Sequence, residues 1–567
     1  MKYIKTGLVL CGMFFISSVK AEGTSTEPEN KDSLVHIAYT AVFNKDLAGG
    51  ISVLRPGEYQ DKSYSTYALE GAEAFVGGSN LWGMGNALVV IDGVPRSIDN
   101  ITTSEIEQIT FLKGANAVVL YGSRAANGVI QITTKRGKIG DRRINVRAHA
   151  GINSPLAYPL YICSAEYMTY YNHACINDGM DPLYDKATIY NYGVQDNPYR
   201  YPDVDYYSSD YLRKFYNSYS AEADFVGGTE RARFYAQAGI QNNNSLLNFG
   251  EGKKEGTTRF NVRGNVDLNL NDYIKTYVNV STVFYNNHSA LGDFWNKART
   301  IQPHRYSPLI PIDMIDPSNP SLQLQIKNSR HLIDGKYLLG GSQQYLTNPI
   351  ADAYAGGYIA YTSRQFQFTG GLDINLSQVL KGLSFHGAMS IDYSNTYNES
   401  VNNTYAVYVA DWGKGDQGTD IINNLTKHNK DMNTGTQNLS DSWNHQTIDF
   451  NMHLDYTNTF REKHNVSAIL LAAATRMRQT GDFQYETNAN MGLQLNYNFS
   501  HTYYASFGGA LVNSTRLASG NRLAFSPTVG LGWVVSDEAF MQNARLVDRL
   551  KLTASAGILH TDLLFPT

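Results

Sequence analysis

The chain has 567 residues with 47 Lys and Arg against 51 Asp and Glu; its net charge of −4 offers neither a basic footprint for nucleic acid nor an acidic tail. It is too long for one ordinary globular domain. Charged residues make up only 17% and aromatics 12%, with 40 Tyr and 49 Gly, a balance that starves helices and suits many strands with one watery and one apolar face.

In chain order, residues 1–21 read as a secretory signal: Lys2 and Lys5, the apolar run Gly7–Val19, then Val19-Lys20-Ala21 before a cut at Glu22. The apolar run falls short of the roughly 20 residues a membrane helix needs. Leu10 ahead of Cys11 is bulky where a lipoprotein cut wants a small residue. Residues 22–40 form a flexible segment, in which the polar lead Gly23–Lys31 gives way to a short β-prone run: Asp32, Ser33, Leu34, Val35, His36, Ile37, Ala38 and Tyr39.

Residues 41–143 read as a small mixed α/β unit. Ala87–Ile91 is a buried strand, Asp92 and Gly93 a turn ahead of Pro95, and Ser104–Glu107 has capping-box spacing that starts a short helix. Ile109–Leu112 is a second strand leading into Lys113, Ala115–Leu120 a short helix, and Val129–Thr134 a third strand. Gly114, Gly122 and Gly128 allow tight reversals between them. The run Tyr121-Gly122-Ser123-Arg124-Ala125-Ala126-Asn127-Gly128 does not meet the nucleophile-elbow pattern G-x-S-x-G.

From residue 144 to 567 the recurring signal is strict alternation. Phe260, Val262, Gly264, Val266 and Leu268 share one face, and Asn261, Arg263, Asn265 and Asp267 the other; Leu383–Ser394 and Ile448–Tyr456 repeat the pattern. Thirteen strands are expected, near 144–153, 219–226, 231–241, 259–270, 274–285, 364–376, 383–394, 446–458, 465–475, 491–499, 502–511, 523–535 and 550–558. Links alternate between long excursions (154–218, 286–363, 395–445) and tight turns such as Gly227-Gly228-Thr229 and Asn271-Asp272. Soluble sandwiches have no reason to put every long loop at one end, whereas outer-membrane barrels do. The fold class is therefore mainly β: a transmembrane antiparallel β-barrel with a small N-terminal α/β domain.

The first long loop holds Cys163 and Cys175, with eleven residues between them, in a polar, Tyr-rich stretch. A loop disulfide and two free thiols both fit an exported chain, while two thiols with His173 do not complete a metal site. No HExxH, P-loop or CxxC occurs, so no catalytic constellation, metal or cofactor is expected.

The stretch Val89–Lys138, VVIDGVPRSIDNITTSEIEQITFLKGANAVVLYGSRAANGVIQITTKRGK, resembles the plug domain of the SusC/RagA-like TonB-dependent outer-membrane transporters. Asp46–Val53, Tyr201–Tyr207, Gly227–Glu230, Ser526–Glu538 and Lys551–Gly557 are similar to that family as well. The resemblance implies that Asp32–Tyr39 is a TonB box that can add a strand to TonB's sheet and transmit pull from ExbB and ExbD; the alternative is an ordinary first plug strand. It implies import of a bulky oligosaccharide or oligopeptide with a SusD-like surface lipoprotein, in a wall set in outer-membrane lipid. A non-transporting receptor or adhesin, or an inactive truncated transporter, is the other reading. For Arg124 it favours a lock with wall carboxylates over a plain surface arginine. Tyr167, Tyr170, Tyr171, Tyr206 and Tyr207 in the long loops are candidate cargo contacts, against a packing role. Plugged transporters have about 22 strands in an even number, so a thirteenth strand near Thr567 reads as a wall truncated by roughly nine.

Overall fold

The computed structural model describes residues 34–37, 39–43, 51–58, 87–415, 418–541 and 550–562. The signal-like stretch 1–21 lies outside them, as do Asp32, Ser33 and Ala38.

Two small sheets open the chain. β1 (Leu34–Ile37) and β2 (Thr40–Phe43) form an antiparallel hairpin. β3 (Ile51–Leu54), β4 (Leu88–Ile91), β5 (Val94–Pro95), β6 (Ile106–Leu112) and β7 (Val129–Thr134) make a five-stranded sheet in the order β3-β6-β7-β4-β5, in which only β4 and β7 run parallel. Ile91, Ile106, Ile109, Phe111 and Ile132 form its core. Asp92 (φ 50°) and Gly93 (φ 84°) turn β4 into β5 in the left-handed conformation that an Asp-Gly hairpin favours. The Asp92 carboxylate accepts from the Thr134 backbone N–H at 2.9 Å and its hydroxyl at 2.7 Å, tying the turn to β7. α1 (Ala115–Val118) leads into a 3-10 turn over Val119–Ala125.

The capping box belongs to Thr102 and Glu105, two residues earlier than the expected Ser104 and Glu107, and it starts only a three-residue 3-10 turn. Residues from Ile106 onward pair with β7 instead of continuing as helix, because tertiary pairing outweighs a weak local start signal.

The remaining chain builds one sheet of thirteen antiparallel strands, each paired with its neighbours in sequence. They are β8 (Gly140–Asn153), β9 (Tyr216–Gly228), β10 (Ala232–Asn244), β11 (Gly256–Asn269), β12 (Ile274–Ala290), β15 (Gly357–Asn375), β16 (Leu383–Asn402), β19 (Asn438–Phe460), β20 (His464–Gln479), β21 (Glu486–Phe499), β22 (Tyr503–Ser514), β23 (Leu523–Val534) and β24 (Lys551–Gly557). The intervening numbers are short strands of the long loops: β13 (Leu309–Pro311) with β14 (Tyr337–Leu339), and β17 (Val407–Lys414) with β18 (Asp420–His428). The sheet is open, with β8 and β24 at its edges.

Its faces are inverted relative to a soluble sheet. On β11, Phe260, Val262, Val266 and Leu268 are 37–41% exposed, while Asn261, Arg263 and Asn265 are at most 4% exposed. β16 and β19 repeat this, with Met389, Ile391, Phe450 and Met452 outward and Ser390, Asp392, Asp449 and Asn451 buried. That is the alternation of a membrane wall around a polar lumen. No helix among the described residues is long and apolar enough to cross a membrane; crossing by strands is a separate matter.

β15, β16 and β19 run seven or eight residues past the ends expected at 364, 394 and 446, reaching Gly357, Asn402 and Asn438. Hydrogen-bonded pairing continues there after the strict apolar–polar alternation stops, so the ladder outlasts the pattern. The long loops are themselves folded. They carry α2 (Ser164–Asn177), α3 (Lys186–Val194), α4 (Phe294–Thr300) and α5 (Pro320–Asn328). One core joins Tyr206, Leu247, Phe249, Phe294 and Ile350, another Ile310, Leu322, Leu338, Tyr408 and Ile422.

Candidate functional site at the plug–wall interface

The α/β unit sits against the polar face of the wall and meets it along two unlike seams. The first is charged. Strand alternation turns Asn261, Arg263, Asn265 and Asp267 of β11 toward the unit, and the 3-10 turn presents Glu105 to them. The Arg263 Nε donates to Glu105 Oε2 at 2.5 Å, and Asn261 Nδ2 donates to Oε1 at 2.9 Å. The same Oε1 accepts from the Thr102 backbone N–H and hydroxyl. Both charged side chains are 1% exposed. Two further pairs flank this one. Arg96, just after β5, grips Asp392 of β16 through two bonds of 2.7 Å and also donates to Thr369 at 2.9 Å. Arg136 follows β7; its Nε lies 3.0 and 3.1 Å from the two Asp267 oxygens, and its guanidinium covers the Tyr277 ring at 5.2 Å.

The second seam is apolar. Val119 and Leu120 pack on Ile469, Leu471, Ala510 and Val512, which interrupt the otherwise polar face of β20 and β22. Asn490 Nδ2 donates to the Leu120 carbonyl at 2.7 Å, and the Ser123 hydroxyl donates to Asn488 at 3.2 Å. Gly122 (φ 78°) passes so close to Asn490 that an added Cβ would lie 3.3 Å from it.

The expected motif residues fall mostly along these seams. Tyr121 and Asn127 are buried, and the Tyr121 hydroxyl donates to Gln131 at 3.1 Å. Burial raises the Tyr121 pKa well above its ordinary value. Gly128 turns into β7 at φ 94°, Pro95 lies in β5, and Lys113 is half-buried at the end of β6. Arg124 donates to Met477 Sδ at 3.6 Å. Burial lowers its pKa; Glu486, Asp562 and Asp449 oppose that, and Arg516 adds to it. The charge-paired locks are thus made by Arg96, Glu105 and Arg136, which sequence reasoning did not single out. The signal available was the set of lone charges on the polar faces of β11 and β16.

Of the β-prone run, Leu34–Ile37 is β1, already paired to β2 and outside the five-stranded sheet. Val35 is fully buried. The His36 carbonyl accepts from Gln108 Nε2 at 3.1 Å and the Thr110 hydroxyl at 3.0 Å. The Tyr39 ring stacks on Tyr121 at 5.3 Å and tilts against His453 of the wall at 5.6 Å.

In the long loops, Tyr167 stacks on His304 at 4.8 Å and accepts from Gln302 at 2.6 Å. Tyr170 and Tyr171 are exposed on α2, Tyr207 packs between Tyr161 and Trp295, and Tyr206 is buried in the loop core. Burial pushes the His304 pKa down to about 4, helped by Arg305 and opposed by Asp203. Cys163 and Cys175 are both free thiols. The loop disulfide is not formed: the segment is helical, with Cys163 the N-cap of α2 and Cys175 in its last turn. Twelve helical steps set them about 18 Å apart, beyond the roughly 7 Å a disulfide spans.

Residues 47–129 match the model of the TonB-dependent Receptor Plug Domain. The TonB-dependent receptor SusC of Bacteroides thetaiotaomicron is 24% identical over 94% of this chain and 54% of its own length. The TonB-dependent receptor P26 of Formosa agariphila is 23% identical over 93% of this chain and 52% of its own. In fold, the RagAB peptide importer in its open-open state superposes with a TM-score of 0.65 at 18% identity, covering 93% of this chain and 61% of that one. The chain is SusC/RagA-like. Its α/β unit is the plug, its thirteen-stranded sheet is barrel wall of the TonB-dependent receptor type, and the two seams are plug–wall contacts. The chain spans about half the length of the curated relatives it matches.

Proposed function

We propose that this protein serves TonB-dependent import of a bulky nutrient across the outer membrane, an oligosaccharide first and an oligopeptide second. The observation that carries the reading is a plug held against the polar face of a membrane wall by ion pairs, with the β-prone run 34–37 folded beside it. Such a plug blocks passage until force or cargo rearranges it. TonB, driven by ExbB and ExbD, supplies the force by pairing with Asp32–Tyr39, and a SusD-like lipoprotein covers the long-loop end. In this reading residues 1–21 direct export, 22–40 couple to TonB, 41–143 form the plug and 144–567 form wall and loops. Plug motif residues Asp92, Gly93 and Tyr121 keep the plug compact, and exposed Tyr170 and Tyr171 meet cargo by ring stacking.

Deleting Asp32–Tyr39 in cells that make the protein should abolish cargo uptake while leaving surface binding of cargo intact. Unchanged uptake would exclude the coupling role. A second reading is an outer-membrane receptor or adhesin that transports nothing. Cargo binding without any uptake in the parent protein would favour it.

A further inference from the structure

The turn of the hairpin β1–β2 reaches the wall beside a row of titratable groups. Pairing register sets Lys275, Asp373, His386 and His453 side by side across β12, β15, β16 and β19. His386 Nδ1 lies 2.7 Å from Asp373 Oδ1, and its Nε2 is 2.9 Å from the Ser384 hydroxyl. The His386 and His453 rings stack face to face, 4.6 Å apart and 14° from parallel. His453 is buried, and Tyr39 of the hairpin packs on its ring. One residue on, the Thr40 hydroxyl donates to Asp455 of β19 at 2.9 Å.

We propose that His386 and His453 form a proton-sensitive latch, which holds the coupling segment against the wall near neutral pH and releases it as the pH falls. The inference rests on the coupling role proposed above. Protons on both rings would place two like charges 4.6 Å apart, with the Tyr39 ring against one of them. Release of Tyr39 lets water reach His453, so the released state binds that second proton more readily. By linkage, lowering the pH through the ordinary imidazole range, near about 6.5, shifts the population toward release.

The surroundings on every side fit this assignment. β12 contributes Lys275 and Tyr277, β15 Asp373, and β19 Asp449 and Asp455. From the plug come Tyr121 and Arg136, the latter already paired with Asp267. On β20 the register partner of His453 is Leu471, which carries no charge. Asp373 is the carboxylate bonded to the histidine stack, and it is already engaged by His386.

Hydrogen exchange of residues 34–43 in the full chain, in detergent or outer-membrane vesicles, reads the latch directly, once rates are corrected for intrinsic pH dependence against β7 as an internal reference. Linkage to one proton allows up to about tenfold per pH unit, so protection should fall at least about fivefold from pH 7.5 to 5.5. His453→Phe keeps a ring against Tyr39 but cannot take the proton, and should abolish the change. Protection that does not vary with pH in the parent, or a pH effect that survives His453→Phe, overturns the proposal. Should His453→Phe fail to assemble, His386→Gln removes the neighbouring charge and should at least halve the effect; an undiminished effect overturns it equally. These outcomes concern only whether the segment is released. Uptake by the Asp32–Tyr39 deletion separately decides whether the segment couples to TonB.

Discussion

The two plug–wall seams solve the same problem with opposite chemistry. On the β11–β16 side, Glu105, Arg96 and Arg136 meet wall charges in fixed, directional pairs, two of them buried. On the β20–β22 side, Leu120 and Val119 lie on aliphatic wall residues, with uncharged wall partners for the hydrogen bonds of Leu120, Ser123 and Arg124 beside them. A buried ion pair is all-or-none, because separating it strands a charge out of water. An apolar contact can slide with graded loss. The contrast suits a stopper that stays seated along one side and lets go abruptly along the other.

The largest effect should come from breaking the fully buried pair. Arg263→Ala leaves the Glu105 carboxylate buried without its cation and should destabilise plug seating by about 3–5 kcal/mol, measurable as faster proteolysis of the plug or a lower melting temperature. Replacing both Glu105 and Arg263 with Met should recover most of that loss, which would show that the penalty lies in the stranded charge. On the apolar side, Leu120→Ala should cost about 2–4 kcal/mol by opening a cavity against Leu471 and Val512, with no dependence on salt. Smaller still, Arg136→Ala should cost about 1 kcal/mol or less, since that pair is partly exposed, and the cost should shrink as salt rises. Equal costs at the two charged positions would erase the distinction between a buried and an exposed lock.

Acid should also act away from both seams, in the long loops. His304 sits in the loop core with its pKa depressed to about 4. The folded loops therefore bind fewer protons than the unfolded ones between the ordinary imidazole value, about 6.5, and 4. Loop stability is fully present above that window and falls as the pH drops through it. Hydrogen exchange of residues 299–306 should rise accordingly, and His304→Phe should flatten the change.

What the sequence made legible follows from the range of the interaction concerned. Wall strands announce themselves locally, because a period-two pattern such as Phe260–Leu268 is imposed by lipid on one side and a polar interior on the other. Their outer ends do not, since hydrogen-bonded pairing at Thr396–Asn402 survives after the pattern stops. The plug elements are readable from turn residues and apolar runs, yet the box falls on Thr102 and Glu105 although Ser104 and Glu107 offer the same spacing. Helix α2 went unread: its Tyr- and Asn-rich sequence looks like loop, and it is held by contacts with distant segments such as Asp203 and Gln302. The ion pairs lie 131 to 296 residues apart in the chain, and nothing in a single sequence indicates which of many lone charges will meet. Arg124 drew attention through its motif, whereas Arg96 performs the bidentate grip.

The central claim is that the plug sits on the polar face of this wall, with the Tyr121–Gly128 motif against β21. Its most direct measurement is a cysteine pair, Ser123→Cys with Asn488→Cys, whose parent side chains are in hydrogen-bond contact at 3.2 Å. With Cys163 and Cys175 changed to Ser, and the protein in its native membrane, mild oxidation should link residues 123 and 488 within one chain, seen as a mobility shift reversed by reductant. No link under conditions where a neighbouring wall pair such as Asn490→Cys with Val512→Cys does form would contradict the account.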